Sequence, residues 1–314
     1  MTSLGILGWN EDAQAVFRAL SGLEGAQVAL VGTCQLPDEQ TQEALNTRFV
    51  DNPALVLNSD AVQAIYISSG ACRRCNLVTR ALQAGKHVLL APPLALDAAE
   101  AAALLDQASA AGLVLGQTAE WQGDPALDMA RRQFRAGLFG EARLYQCTVL
   151  DSGSSCDWRL LAARELDLFY RLTGLRASGV AVRSLAGAAG AAVAALTVAY
   201  GDGALGNYVI GSGVAGADRQ PLSRLLIASG GQLDLAGEPQ AVRAQSAEDA
   251  PGGAWRPLSY VGARRGLEGT LAAFLRQVEA SDHRLDRDGL LEAPRILGAA
   301  LRALAAGSTE MQPL

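Results

Sequence analysis

The sequence contains very little lysine and histidine. Among its 314 residues Lys86 is the only lysine, and the two histidines are His87 and His283. The other basic residues are arginines, which stay charged at any working pH and are poor general bases. His87 begins an apolar run and is expected to be structural, while His283 is expected on an exposed polar loop. Proton transfer near neutral pH would therefore depend on carboxylates or tyrosines.

The composition argues against several classes of function. The formal net charge is −6 and no basic stripe is present, so no nucleic-acid partner is expected. Five irregularly spaced cysteines favour a reducing compartment over a disulfide framework. The first basic residue is Arg18, so the N-terminus lacks the charged start of a signal peptide, and we expect a cytoplasmic protein.

One uncharged stretch, residues 184–201, is long enough to raise the question of a membrane span. It is rich in alanine and glycine, and it runs into a Gly-Asp-Gly turn at 201–203. These features predict a β-hairpin, so no membrane partner is expected.

The order of apolar runs predicts an α/β protein. Strands are expected over residues 4–7, 27–33, 61–68, 87–90 and 113–116, with helices over 12–20, 37–47, 73–83 and 97–111 between and after them. This alternation is typical of a Rossmann-type, doubly wound parallel sheet. Beyond residue 120, helices accompany strand-like runs separated by glycine turns, which predict a mostly antiparallel open sheet. We expect a Rossmann-like dinucleotide-binding domain over 1–120 and an α+β substrate and oligomerisation domain over 121–314.

The most informative segment is 84–95, which reads Ala-Gly-Lys-His-Val-Leu-Leu-Ala-Pro-Pro-Leu-Ala. It resembles the segment that carries the catalytic lysine in the glucose–fructose oxidoreductase and inositol dehydrogenase family (Gfo/Idh/MocA). Members usually read Glu-Lys-Pro where this chain has Ala91-Pro92-Pro93. The expected lysine is thus replaced by Pro92, which has neither a side-chain proton nor an N–H. Weaker landmarks, such as Gly230-Gly231-Gln232-Leu233, follow in the family's order over nearly the whole chain.

The resemblance implies an NAD(P)-dependent oxidoreductase that acts on a sugar or polyol. It also implies a homodimer or homotetramer formed through the C-terminal sheet. The G-x-G-x-x-G fingerprint should fall where this chain reads Gly8-Trp9-Asn10-Glu11-Asp12-Ala13. Only the first glycine remains, Asn10 places a side chain where the phosphates would approach, and two carboxylates add negative charge. Two interpretations stay open: a helix capped by its own residues without a nucleotide, or a weakened site for NAD or NADP.

Other cofactor positions are also altered. Gln35 stands where relatives carry an acidic residue for the ribose, and its neutrality leaves NAD and NADP equally open. Ser68 and Ser69 lie at the end of the predicted 61–68 strand. The candidate cofactor-binding set is therefore Gly8, Trp9, Asn10, Gln35, Ser68, Ser69 and Pro92.

Candidate catalytic and substrate residues come from the resemblance as well. On a helix where the family often has histidine and then aspartate three residues later, this chain has Arg164 and Asp167, which share one helical face. Asp167 is the candidate base, with a local ion pair as the alternative. The candidate substrate-binding residues are Arg74, Arg159 and Arg164 for an acidic or phosphorylated sugar, Glu120 as a cleft acid and Trp121 as a stacking ring. Cys72 and Cys75 form a C-x-x-C pattern without further ligands, so no metal is predicted.

Three functions stay open at this point. The first is an NAD(P)-dependent oxidoreductase with an unusual acid or base. The second is a non-catalytic regulator that binds a nucleotide or a sugar. The third is an inactive subunit that stabilises an active relative.

Overall fold

The computed structural model describes residues 1–69, 74–118, 124–152, 157–186, 192–214, 221–236, 242–246, 254–258 and 266–314. The chain divides into two compact units. The first comprises Met1–Ala95, Ala99–Gly123 and Gly266–Leu290, and the second Leu96–Ala98, Asp124–Arg265 and Leu291–Leu314.

The first unit is built on a parallel sheet. Its strands are β1 (Thr2–Leu7), β2 (Ala26–Gly32), β3 (Arg48–Val50), β4 (Ala64–Ile67), β5 (His87–Leu90) and β6 (Leu115–Gln117). Its helices are α1 (Glu11–Ser21), α2 (Glu39–Leu45), α3 (Pro53–Leu57), α4 (Arg74–Gln83), α5 (Ala98–Ala110) and α8 (Gly266–Glu279). The strand order is β3-β2-β1-β4-β5-β6, and all five neighbouring pairs are parallel. The prediction of a Rossmann-type parallel sheet is confirmed.

The core of this unit explains its apolar strands. Every residue of β1 and β4 is buried, as expected for parallel strands that are covered on both faces. Helix α8, which comes from the far end of the sequence, adds Leu271, Phe274 and Leu275 to the cluster that contains Phe17 and Leu20 of α1. Residues 266–279 therefore complete the core of the first unit.

The second unit is built on a larger sheet. Its strands are β7 (Ala142–Asp151), β8 (Ala177–Ala186), β9 (Ala192–Tyr200), β10 (Leu205–Ser212), β11 (Pro221–Ala228), β12 (Gly231–Asp234), β13 (Arg243–Ser246), β14 (Arg256–Pro257) and β15 (Gln312–Pro313). Its helices are α6 (Pro125–Arg135), α7 (Trp158–Thr173) and α9 (Arg287–Ala305), of which α9 begins in the first unit. The strand order is β14-β13-β12-β11-β7-β10-β9-β8-β15. Only the β7–β10 pair is parallel among the described pairs, so the prediction of a mostly antiparallel sheet is confirmed.

The uncharged stretch 184–201 lies mostly in β8 and β9, which pair antiparallel. Within the described parts of the chain, no helix has the length and apolar character needed to cross a membrane.

Candidate functional site

The first strand–helix turn lies at the carboxyl end of β1. Gly8 adopts φ +85°, a conformation that favours glycine, and its N–H donates to Gly32 O at 2.8 Å. The half-buried Trp9 ring packs edge-on against Phe49 and Phe17, with ring centroids 5.0 and 5.7 Å away. Trp9 therefore belongs to the packing around α1 and β3 in this conformation.

Side-chain hydrogen bonds at this turn link Asn10 to Ser69 and Ser69 to Asp12. Asn10 is the N-cap of α1, and its Oδ1 accepts from Ala13 N at 3.2 Å. Its Nδ2 donates to Ser69 Oγ at 2.9 Å, and the Ser69 hydroxyl donates to Asp12 Oδ2. The turn after β1 is thus tied to the residues after β4 by side chains. The interpretation of α1 as a helix capped by its own residues describes this geometry.

The other candidate cofactor residues lie along the same carboxyl edge. Gln35 is exposed, and its N–H and C=O both bond the hydroxyl of Thr33, so its backbone is fixed while its side chain faces solvent. Ser68 is fully buried, and its hydroxyl has no hydrogen-bond partner in the described part of the chain. Pro92 is buried directly after β5.

The residues that are present fit a dinucleotide only in part. Gly8 and the Rossmann turn provide the required backbone path, and the Ser68 hydroxyl is a buried group that lacks a hydrogen-bond partner among the described residues. The pyrophosphate position does not fit, because the Ser69 hydroxyl there accepts from the Asn10 side chain and donates to the Asp12 carboxylate.

The only lysine of the sequence does not replace the missing catalytic one. Lys86 precedes β5, whereas Pro92 follows it, so the two residues lie at opposite ends of this strand. The Lys86 ammonium donates to Ser59 O at 2.9 Å and to Val62 O at 2.7 Å. Lys86 therefore stabilises the chain segment that precedes β4.

The candidate catalytic helix is α7 of the second unit. Asp167 is 1% exposed, and both of its carboxylate oxygens accept from Arg171 Nε at 2.9 Å. Sequence spacing predicted Arg164 as its ion-pair partner, whereas Asp167 forms an ion pair with Arg171, four positions later. Arg164 is half-buried and makes interactions of its own.

Arg159 and the remaining substrate candidates are placed as follows. Arg159 binds Asp157, the N-cap of α7, and the hydrogen bond that its guanidinium donates to this carboxylate raises the pKa of Arg159, against the effect of burial. Glu120 and Trp121 lie outside the described residues, as does Cys72, and of Arg74 only the backbone is described. Among the described residues, no three His, Cys, Asp or Glu side chains are grouped as a metal site would need.

The structure also reveals a buried polar group that sequence reasoning missed. Glu165 of α7 is 3% exposed and pairs with Arg224 of β11. The Cys147 thiol of β7 donates to Glu165 Oε2 at 3.2 Å, and the Tyr145 hydroxyl lies buried without a partner in the described regions. The sequence offers one signal for this group: residues 145, 147 and 149 of β7 alternate and are buried. This alternation does not show that Glu165 and Arg224 are their neighbours.

The two histidines lie together in the first unit. Their rings stack with centroids 6.2 Å apart, and His87 Nδ1 accepts from Val114 N at 3.0 Å. The expectation that His283 is exposed was wrong: it is half-buried because its ring packs on His87. Burial, followed by repulsion from His283, lowers the pKa of His87.

The two units define a class of protein: a Rossmann unit with a dinucleotide-type turn, joined to a unit with an open sheet. Residues 4–118 match the family model described as the oxidoreductase family with an NAD-binding Rossmann fold, Gfo/Idh/MocA. The resemblance in the sequence motifs is therefore confirmed by this match to the Gfo/Idh/MocA oxidoreductase family, which covers the Rossmann part of the chain.

Comparison with individual proteins gives partial sequence matches and full-length fold matches. The chain is 35% identical over 115 residues to a dTDP-3,4-didehydro-2,6-dideoxy-alpha-D-glucose 3-reductase of Streptomyces violaceoruber, a match that covers 37% of this chain and 34% of that protein. The matched part thus spans about a third of the length of this curated relative.

Two solved structures share the fold over almost their whole length. A levoglucosan dehydrogenase in complex with NADH and L-sorbose has a TM-score of 0.82 at 14% identity, covering 100% of this chain and 98% of that one. A 3-ketoreductase from Actinomadura kijaniata in complex with TDP-benzene and NADP has a TM-score of 0.76 at 18% identity, covering 96% of both chains. At such identities these likenesses establish the fold alone.

Proposed function

We propose that this protein binds a sugar- or polyol-like ligand on an NAD(P)-binding fold and has lost the proton-transfer step of its family. It would then act as a ligand-binding regulator or as a partner subunit of an active relative. The observation that carries the proposal is Pro92, a buried residue without a transferable proton at the position where the resemblance expects a lysine.

Hydride transfer to or from a sugar carbon requires that a proton be moved at the neighbouring oxygen. A positioned acid or base typically contributes about 10²–10⁴-fold to the rate of such a step. Lys86 is engaged at the other end of β5, and Arg164 stands where the resemblance expects a histidine. Arginine holds its proton too tightly to exchange it at neutral pH. The losses at Asn10, Gln35, Pro92 and Arg164 affect different tasks, so one compensating substitution would not restore all four.

The sugar-like ligand is proposed from the relatives. A curated relative of the first unit is a reductase of a dTDP-linked sugar, and one structure with the same fold is a sugar dehydrogenase in complex with L-sorbose. Arginines at 159 and 164 would suit an acidic or phosphorylated sugar, because guanidinium groups bind carboxylate and phosphate oxygens in pairs. Arg159 already binds Asp157, so a ligand at this position would have to compete with that carboxylate.

A second candidate function is an active NAD(P)-dependent sugar dehydrogenase with Asp167 as its base. The favouring observation is the burial of this carboxylate on α7, the helix that the resemblance assigns to catalysis. The Arg171 Nε–H donates to both of its oxygens, however, so this carboxylate is already engaged in a charge-assisted hydrogen bond. Catalysis through Asp167 would need that interaction to open during turnover.

The two candidates are separated by binding and turnover measured on the same preparation. Sugars, uronic acids and sugar phosphates are screened by thermal shift, and NAD(P)H formation is followed with each ligand that binds. The proposal expects a stabilising ligand and no turnover above that of a Pro92→Met control. Turnover that Asp167→Asn abolishes, while Asp157→Asn leaves it intact, would establish the dehydrogenase instead.

We further propose that two copies associate through the outer face of the large sheet. The residues on this face pair across strands as Leu225–Gln146–Asn207–Thr197–Ala181 and as Ser223–Thr148–Val209–Ala195–Arg183. Apart from Arg183, these side chains are uncharged. Val209 is 38% exposed, and Leu205, which lies on the same face of β10, is 43% exposed. A broad, weakly polar face of this kind is typical of interfaces between subunits.

A further inference from the structure

We propose that the side chains of Asn10, Ser69 and Asp12 form a latch that fills the phosphate position of the first strand–helix turn. Asp12 then determines how strongly this chain discriminates against ligands that carry a diphosphate. The inference rests on the proposed function in one respect, the nucleotide-binding character of this edge. Beyond the proposed function, the inference names the residues that decide whether a dinucleotide can bind.

The latch replaces contacts that a phosphate would otherwise make. Where a Rossmann turn binds a dinucleotide, its backbone approaches the pyrophosphate and the N-terminus of the following helix faces it. Here the Ala13 N–H of α1 is taken by Asn10 Oδ1 at 3.2 Å. The Asn10 amide is also held from its other end, because Nδ2 donates to Ser69 Oγ at 2.9 Å. The side chain is therefore fixed at two points and does not simply swing aside.

Charge acts in the same direction as shape. The Ser69 hydroxyl donates to the Asp12 carboxylate, which places a negative charge in the first turn of α1 beside that of Glu11. A helix N-terminus favours one negative group, and here the protein supplies it. A diphosphate would bring further negative charge to the same position. One like charge at about 5 Å near a protein surface lowers affinity on the order of tenfold or more.

The latch also joins two separate segments. Asn10 and Asp12 follow β1, whereas Ser69 follows β4, the neighbouring strand of the sheet. A dinucleotide that lies across these strand ends must break the hydrogen bonds between the two segments. Its apparent affinity equals the intrinsic affinity multiplied by the fraction of molecules in which the latch is open.

Two variants and a matched control test the latch. Asp12→Asn removes the charge and keeps the side-chain shape, and Ser69→Ala breaks the bridge and leaves the charge in place. Asp38→Asn is the control, because Asp38 also accepts a hydrogen bond at a helix N-terminus of the first unit, that of α2. Binding of NADH, NADPH and adenosine to each purified protein is measured by fluorescence or calorimetry, with folding checked by circular dichroism.

The expected result is an increase of about tenfold in affinity for NADH and NADPH in Asp12→Asn, with a smaller increase in Ser69→Ala. The control should bind as the unchanged protein does. Adenosine, which has no phosphate, should bind equally to all four proteins. A general loosening of the turn would instead alter adenosine binding as well, and this would overturn the proposal.

Equal dinucleotide affinity in Asp12→Asn and in the unchanged protein would also overturn the latch, whether that affinity is micromolar or undetectable. Failure of the proposed function gives a different result, namely turnover of NAD(P) by the unchanged protein. A variant that gains affinity without gaining turnover supports both proposals.

Discussion

The guanidinium of Arg224 donates hydrogen bonds to both carboxylate oxygens of Glu165, from Nε to Oε2 at 2.8 Å and from Nη2 to Oε1 at 2.5 Å. The pair joins α7 to β11 across 59 residues of sequence, and both side chains are largely buried. Burial alone would lower the pKa of Arg224, but the Glu165 charge and its hydrogen bonds raise it overall. The Glu165 carboxylate thus keeps the buried Arg224 guanidinium charged.

Removal of Arg224 should therefore leave a buried charge without its partner. We expect Arg224→Leu to lower the free energy of unfolding by about 3–5 kcal/mol. The matched control is Arg243→Leu, because the Arg243–Asp234 pair is far more exposed and should be worth less than about 1 kcal/mol. Urea denaturation followed by circular dichroism gives both values, and Glu165→Gln in the Arg224→Leu background should restore part of the loss. Similar losses in Arg224→Leu and Arg243→Leu would contradict this account.

The thiol of Cys147 should resist modification in the folded protein. Burial, followed by the negative charge of Glu165, raises the pKa of this thiol well above its usual range, so the reactive thiolate is scarce. Cys34 is exposed and is the internal control. With a maleimide at pH 7.5, mass spectrometry of peptides should find Cys34 labelled first and Cys147 labelled only after urea is added. Equal labelling rates for the two thiols would show that the Glu165 region opens readily.

The stacked histidines should make the protein sensitive to mild acid. The pKa of His87 is lowered in the folded protein, by burial and then by His283, whereas an unfolded histidine titrates near 6.5. The unfolded chain therefore binds the proton more readily, and stability must fall as the pH drops below about 6.5. His87→Gln keeps an acceptor for the Val114 N–H and should flatten this dependence in melting curves between pH 5 and 7.5. An unchanged slope in that variant would assign the acid sensitivity to other groups.

Association through the outer sheet face can be tested by one added charge. We expect Val209→Arg to shift the protein from dimer or tetramer towards monomer in light scattering, because an isolated charge in an apolar interface is costly. Leu55→Arg adds the same group at another exposed leucine, in α3 of the first unit, and should leave the mass unchanged. A monomer before any substitution would dispose of the interface proposal.

Local patterns predicted much of the fold, and long-range contacts limited what could be predicted of the site. Because β1 and β4 are buried, their sequences are apolar runs that identify parallel strands. The fingerprint alone showed that the Asn10 side chain would obstruct the phosphate position. The partner of Asn10 could not, because Ser69 lies 59 residues away and only the β1–β4 pairing brings them together. The three-residue strand β3 and the five-residue helix α3 were missed because such short segments show no clear period.

The two largest differences from expectation have the same origin. Asp167 pairs one helical turn onward with Arg171 instead of backward with Arg164, and both spacings are equally compatible with one helix face. Glu165 points towards the sheet and meets an arginine from a strand that follows much later. Sequence spacing defines which residues share a face, whereas tertiary packing decides which of them meet.

The return of α8 to the first unit has a consequence for how the protein is made. A ribosome that has synthesised residues 1–123 has made all six strands of the parallel sheet, yet Phe17 and Leu20 still lack the leucines and phenylalanine of 271–275. The first unit can reach its final core only after the strands β7 to β14 have emerged. Evolution meets the same constraint, since a single recombination point near residue 120 would exchange the Rossmann strands but leave behind the helix that covers them.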